Sequence, residues 1–176
     1  MGMTFEELRN LFESYTKTDH YIDNAQLALW FNEAALDLAY DLAPVQKVEI
    51  TPADGGVFTP GEDWLVIVAS DMEYERKSDG SLVFPQGGNG YLYYRAVPPL
   101  FTGTELQAEC GLPEAARYLP ALFAAARYWD TESDGSAEET AMANRWLSYY
   151  YQGKNLAKSR YDLSRVEIER WLVRQE

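Results

Sequence analysis

Residues 24–44 read NAQLALWFNEAALDLAYDLAP, which is the strongest helical signal in the chain. Asp23 followed by Gln26 is typical of a helix start, and Pro44 cannot continue a helix because it lacks a backbone N–H. The pattern therefore predicts a helix over 23–43. Placed at 100° per residue, apolar side chains cover well over half of its circumference, which indicates a helix at the centre of the fold.

Trp30 stands in the narrow polar stripe of this helix, among Gln26, Glu33, Asp37 and Asp41. Two interpretations are open. Either the ring covers neighbouring side chains or a loop, or it contacts another subunit, since tryptophan is enriched at interaction hot spots.

Further helices are predicted where capping boxes of the type Ser/Thr-x-x-Glu begin at Thr4 and at Ser136, and where Pro113 suits a helix start. Pro120 must kink the third helix or begin a new one, and Gly153 is expected to weaken or end the fourth. The predicted bounds are 4–15, 113–131 and 136–152.

Between residues 45 and 95 the sequence changes to strand-like patterns. VQKVEI alternates, WLVIVAS is a continuous apolar run like a strand covered on both faces, and Ser78-Asp79-Gly80 is a hairpin turn signal. The predicted fold class is α+β, with a mainly helical core of four to five helices and an inserted antiparallel sheet or hairpin region of four or five strands. We expect residues 1–153 to form a single α+β domain.

The strand GYLYYR, residues 90–95, has no polar face. Alternation places Tyr91 and Tyr93 on one face and Leu92 and Tyr94 on the other. It is either a covered core strand or a tyrosine-rich contribution to a subunit or partner interface.

The chain is strongly acidic, with 15 Lys and Arg against 28 Asp and Glu and a formal net charge of −13. Residues 1–153 carry 9 basic and 24 acidic side chains, whereas 154–176 carry 6 and 4. Because nucleic-acid affinity comes mainly from Lys and Arg on phosphates, we expect no sequence-specific binding of DNA or RNA.

The cysteine count and the hydropathy bear on the compartment. Cys110 is the single cysteine, so no intrachain disulfide is possible and an intracellular site of synthesis fits. The N-terminus lacks the basic and apolar regions of a secretion signal, and no stretch approaches 18 uncharged apolar residues. We expect neither secretion nor a membrane span.

No residue pattern points to catalysis. His20 lies in a polar connector without an orienting partner, and Glu109 would raise the pKa of the Cys110 thiol rather than lower it. The acidic stretch from Asp130 has EF-hand-like spacing, but Ala141 stands where a bidentate Glu is needed. We therefore expect a non-enzyme with no cofactor or metal. An unrecognised enzymatic site, or calcium binding at 130–141, stays open as an alternative.

Residues 154–176 predict a basic C-terminal helix or docking tail. Its apolar residues form two narrow stripes, one of Leu163, Val166 and Val173 and one of Tyr161, Ile168 and Leu172. Such a helix can bridge two acidic surfaces, or it can pack back on its own acidic body. Its candidate interface residues are Arg160, Arg165, Arg170, Trp171 and Arg174.

The order of these elements resembles a known family. TFEELRNLFESY, NAQLALWFNEAALDLA, a hairpin-rich insert ending in GYLYYRAVPPLFTG, and LPEAARYLPALFAAARYW before a capping box are together similar to the head–tail connector, adaptor or head-completion proteins of tailed bacteriophages and prophages. The likeness covers most of the chain and lies in element order rather than in a short motif.

The resemblance implies a virion structural protein, made in the bacterial cytoplasm, that assembles as a homo-oligomeric ring under the portal. Its partners would be the portal protein and tail components, and the family offers no catalytic or metal-binding residues. The strand-rich segment is longer than the shortest connectors need. Another tail or baseplate component, or an intracellular binding module, therefore remains an alternative.

Overall fold

The computed structural model describes residues 2–17, 21–131 and 136–173, of which 161–173 are described through their backbone alone. These residues form four helices and six strands. In chain order the elements are α1 (Phe5–Thr16), α2 (Asn24–Leu42), β1 (Val45–Ile50), β2 (Gly56–Phe58), β3 (Trp64–Ser70), β4 (Glu75–Arg76), β5 (Leu82–Phe84), β6 (Gly90–Ala96), α3 (Leu119–Thr131) and α4 (Ala137–Val173). The chain divides into two compact units, Met1–Leu42 with Pro98–Glu176, and Ala43–Val97.

The helical unit is built around the apolar face of α2. Phe31 is fully buried, and its ring lies 5.5 Å from that of Phe5 of α1 in an edge-to-face arrangement. Phe101 completes the cluster at 5.5 Å from Phe5 and is fixed by Asn32, whose side chain bonds the backbone N–H and C=O of Phe101. Helix α2 thus lies at the centre of the helical unit, with nine of its residues buried.

The helix starts at Thr4 and Ser136 follow the predicted capping boxes. The Thr4 hydroxyl accepts from the Glu7 N–H, while the Glu7 carboxylate accepts from the Thr4 N–H. Ser136 and Glu139 repeat part of this arrangement at the start of α4, because the Ser136 hydroxyl accepts from the Glu139 N–H. These local signals are independent of the rest of the fold, which is why sequence reasoning finds them.

Helix α3 begins at Leu119, not at Pro113 as predicted. Residues 114–118 form successive turns, with Ala116 N–H bonded to Pro113 O and Leu119 N–H bonded to Ala116 O. Pro120 then lies in the first turn of α3. Backbone N–H groups in the first turn form no intrahelical hydrogen bond, so the lack of an N–H in proline costs nothing there.

The expected break at Gly153 is also absent, because α4 continues from Ala137 to Val173. Gly153 lies where α4 passes closely over the start of α3. A Cβ at this position would overlap Leu119 Cδ2 and lie 3.2 Å from the Tyr118 hydroxyl. The glycine permits close helix packing rather than ending the helix.

The β unit consists of two three-stranded antiparallel sheets with the strand orders β1-β6-β3 and β2-β5-β4. The predicted hairpin turn connects β4 to β5, with Gly80 at a φ of +85° and its N–H bonded to Lys77 O. The unit has its own hydrophobic core, composed of Ile50, Leu82, Phe84 and Leu92.

Two predictions about this region are wrong. WLVIVAS is an edge strand, β3, whose side chains are mostly half-buried, and its pairing with β6 is interrupted by two register shifts. The fold is α+β but not a mainly helical core with an inserted hairpin region, since two small sheets pack around a core of their own. Alternation in single strands does not show that they divide into two sheets.

No helix in the described part of the chain has both the length and the hydropathy that crossing a bilayer requires.

Candidate interaction surfaces

Helix α4 is held against α2 by a half-buried hydrogen bond and a row of ion pairs. The hydroxyl of Tyr150, whose side chain is fully buried, donates to Asp37 Oδ2 at 2.5 Å. Lys154 Nζ lies 2.8 Å from Asp37 Oδ1 and 3.4 Å from Asp41 Oδ2, and Lys158 Nζ lies 3.0 Å from Asp41 Oδ1. Residue numbers rise together on both sides, so the two helices run in the same direction.

The titration behaviour of these groups follows from the packing. Burial raises the pKa of Tyr150, and the adjacent Asp37 carboxylate raises it further by accepting its proton in a hydrogen bond and by its charge. Burial would also raise the pKa of Asp41, but hydrogen bonds and charges from Lys158 and Lys154 outweigh it and lower that pKa. Tyr150 therefore stays neutral and Asp41 stays ionised at neutral pH.

These contacts change the interpretation of the basic tail. The excess of two positive charges in 154–176 equals the charges of Lys154 and Lys158, and both are paired within the chain. Residues 159–176 carry four basic and four acidic side chains. The tail beyond Lys158 therefore carries no net charge. The two alternatives for the tail were to bridge two acidic surfaces or to pack back on its own acidic body, and Lys154 and Lys158 do the second.

The two apolar stripes predicted for the C-terminal segment continue two described faces of α4. We call the first the inner α4 stripe. Tyr150 and Ala157 are both buried, and spacings of four and seven extend this face in sequence to Tyr161, Ile168 and Leu172. The inner stripe thus begins as the face that packs on α2.

The outer α4 stripe begins about 100° around the helix from the inner one, because Tyr149 directly precedes Tyr150 and Leu156 directly precedes Ala157. Tyr149 is 40% exposed and Leu156 is 53% exposed. Spacings of three and seven continue this face in sequence to Leu163, Val166 and Val173. Arg145 and Arg160, both exposed, flank its described part.

Helix α2 also exposes apolar side chains, which we call the α2 stripe. Leu29 is 60% and Tyr40 is 55% exposed, and Leu36 lies half-buried between them at spacings of seven and four. Glu33 lies on the same side and pairs with Arg127 of α3. The wide apolar face predicted for α2 therefore extends beyond what the core covers.

The tyrosines of β6 are divided between two faces. Tyr94 stacks on Trp64 with ring centroids 3.8 Å apart, and its hydroxyl donates to Gln46. Tyr91 lies on the other face, where Lys47 Nζ is 3.5 Å from its ring centroid and 5.8 Å from that of Tyr93. The interface candidates Tyr91 and Tyr93 are thus half-buried beside a lysine, and Tyr94, also half-buried, stacks on Trp64 on the other face.

Trp30 is 5% exposed and packs on Phe12 at a ring distance of 6.3 Å. It covers neighbouring side chains, so it offers no docking surface on this chain. Among the tail candidates, Arg160 is exposed. The side chains of Arg165, Arg170 and Trp171, the whole of Arg174, and His20 lie outside the described residues.

The helical unit has a cleft of about 320 Å³ between α2, α3 and α4. It is lined by Phe123, Arg127, Leu147 and Tyr151 among others, and its charged groups, Glu33, Arg127 and Asp130, already pair with each other.

Cys110 is buried, and burial raises the pKa of its thiol to about 11 despite a backbone hydrogen bond from Leu112 that lowers it.

Within the described residues, no group of three or more His, Cys, Asp and Glu side chains is arranged to hold a metal ion. The EF-hand-like stretch 130–141 falls partly outside those residues.

Sequence reasoning missed Tyr150, Lys154 and Lys158 as the residues that fix α4. A signal was present, because residues 140–161 contain four cations and no carboxylate, whereas α2 contains three carboxylates and no cation. Opposite charges of this kind on two helices of one chain predict a contact between them.

The chain matches no protein-family model, and no curated protein is similar enough to indicate a relationship.

Proposed function

We propose that the protein is a structural component of a tailed bacteriophage or prophage virion, a head–tail connector that assembles as a ring under the portal and joins head to tail. The observation that carries this proposal is the length of α4. Lys158 pairs with Asp41 at the last turn of α2, and α4 then continues to Val173. That is roughly 22 Å of further helix at 1.5 Å per residue.

The sequence of this extension suits docking on another protein. The inner α4 stripe continues through Tyr161, Ile168 and Leu172 after its helical partner α2 has ended at Leu42. Apolar residues at helical spacing are what a helix presents to a hydrophobic groove. The element order of connector and adaptor proteins supports the same role, which is structural rather than catalytic.

The charge balance indicates which chemistry the docking uses. Lys154 and Lys158 are occupied by Asp37 and Asp41, and the extension beyond them is neutral. Binding to the portal should therefore depend on burial of apolar surface and should change little between low and high salt.

The test is to mix the purified protein with the portal ring of the same phage or prophage and to measure the mass of the complex by size-exclusion chromatography with light scattering. We expect stoichiometric co-elution. A chain truncated after Arg160 keeps Lys154 and Lys158, so its helical unit stays closed, and it should lose binding.

Circular dichroism verifies that the truncated chain is folded. Failure of the full-length chain to bind the portal ring would overturn the proposal. Binding that survives truncation, or that vanishes at high salt, would contradict the assigned role of the α4 extension.

A further inference from the structure

We infer that copies of this protein associate head to tail, with the outer α4 stripe of one copy packed on the α2 stripe of the next. This supplies the contact between copies that the proposed ring requires, and in that respect it rests on the proposed function. It is measured on the protein alone, so its failure and a failure to bind the portal are separate results.

The two stripes are alike in spacing. Leu29, Leu36 and Tyr40 span twelve residues of α2, about 16 Å of helix. Tyr149 and Leu156 cover the described start of the outer stripe, about 10 Å, and the spacing continues in sequence to Leu163. Rows at spacings of three, four and seven are the ridges by which helices pack on each other.

The stripes do not meet within one chain. Helix α4 packs on α2 through Tyr150, Lys154 and Lys158, whereas Tyr149 and Leu156 of the outer stripe stay exposed. Leu29 and Tyr40 of the α2 stripe are exposed as well, so the two stripes do not cover each other in a single copy. Any contact between the two stripes therefore joins two copies.

The charges beside the outer stripe favour an acidic partner. The carboxylates of α2, Glu33, Asp37 and Asp41, are already paired with Arg127, Lys154 and Lys158 of the same chain, so the attraction comes from the acidic protein as a whole. Arg145 and Arg160 flank the outer stripe, and no carboxylate occurs between residues 140 and 161. In a protein with a net charge of −13, this stretch of α4 is where a second acidic copy is attracted rather than repelled.

A contact between two different surfaces has a definite consequence for symmetry. After two copies pair, one still exposes its α2 stripe and the other its outer α4 stripe, so association continues until a rotation closes the ring. A pairing of identical stripes would stop at a two-fold dimer. The two cases are separated by variants that disable one stripe at a time.

The experiment is sedimentation velocity on the full-length chain from ~1 to ~500 µM, a range that detects micromolar to sub-millimolar association. The wild type should form species larger than a dimer. Leu29→Glu and Leu156→Glu should each weaken self-association at least tenfold, because each places a charge in an apolar contact. Both positions are exposed in the single copy, so both variants should fold.

The decisive sample is an equimolar mixture of the two variants. Leu29→Glu retains an intact outer α4 stripe and Leu156→Glu retains an intact α2 stripe, so the mixture should form a dimer with one copy of each. Val57→Glu adds the same charge at an exposed apolar residue of the β unit and should associate like the wild type. The inference is overturned if the wild type stays monomeric throughout, if either variant alone associates like the wild type, or if the mixture stays monomeric.

Discussion

The Tyr150 hydroxyl donates a hydrogen bond to Asp37 Oδ2 across 113 residues of sequence. Tyr150 is fully buried, whereas the Asp37 side chain remains 47% exposed and also binds Lys154. A buried phenol is thus joined to a carboxylate that keeps part of its hydration. This pair aligns the middle of α4 on α2 and so determines the direction in which the rest of α4 extends.

Removal of the Tyr150 hydroxyl should lower the free energy of unfolding. Tyr150→Phe keeps the ring and loses a hydrogen bond to a charged acceptor, for which we expect a loss of about 1.5 kcal/mol. Urea unfolding followed by circular dichroism measures it. Tyr151→Phe is the matched control, because Tyr151 is 52% exposed, and its effect should stay within about 0.5 kcal/mol. Equal effects of the two substitutions would contradict the role given to Tyr150.

The stability of the helical unit should fall at alkaline pH. The folded-state pKa of Tyr150 is raised, first by burial and then by Asp37, whereas an unfolded tyrosine titrates near ~10. Below pH ~10 the neutral phenol contributes its full stabilisation. Above it the unfolded state loses the proton that the folded state keeps, so stability decreases as pH rises.

Urea titrations at pH 8, 9, 10 and 11 measure this dependence. Above pH ~10 the free energy of unfolding of the wild type should fall more steeply than that of Tyr150→Phe, so the difference between the two free energies should narrow. A constant difference across that range would show that Tyr150 does not remain neutral in the folded protein.

Gly153→Ala should destabilise the protein even though alanine favours a helix by about 1 kcal/mol over glycine. The added methyl group overlaps Leu119, which is fully buried and has little room to move. Chemical unfolding of four proteins, the wild type, Gly153→Ala, Leu119→Ala and the double variant, separates the two effects. Gly153→Ala should be neutral or stabilising in the Leu119→Ala background. A stabilising effect in the wild-type background would mean that the helices can separate without cost.

The features that sequence reasoning predicts here are the ones set by neighbouring residues. The capping box at Thr4 and the turn at Gly80 depend on spans of a few residues, and both are present in the structure. At Ser136 the structure has one bond of the predicted box, from the Glu139 N–H to the Ser136 hydroxyl. Gly153 was wrongly predicted to weaken or end a helix, because the residue that requires a glycine there, Leu119, is 34 positions earlier in the chain. Leu29 is exposed and the adjacent Trp30 is buried, and this difference depends on which parts of the chain pack around α2 rather than on the local sequence.

Phe84→Ala should destabilise the β unit strongly. Phe84 is fully buried in the core that the two sheets share, and loss of such a ring costs about 3–5 kcal/mol. Unfolding followed by near-ultraviolet circular dichroism reports it, because Tyr74 lies 6.0 Å from the Phe84 ring and changes environment when this core opens. Val57→Ala, at an exposed position of β2, should change stability by about 0.5 kcal/mol or less. A small effect of Phe84→Ala would contradict a separate core in residues 43–97.

Cys110 should react with thiol reagents only when the protein opens. Burial raises the pKa of its thiol to about 11, and the side chain is 1% exposed. At pH 8 the thiolate fraction is then roughly a hundredfold below that of a free cysteine, and the reagent has no direct access. Labelling by a disulfide reagent should therefore be slow in buffer and rapid in urea. Leu156→Cys should label one additional thiol rapidly without urea, because Leu156 is exposed. Rapid labelling of Cys110 in buffer would contradict this prediction and would mean that the segment before α3 opens readily. Such opening must break the hydrogen bond from the Cys110 N–H to Met3 O.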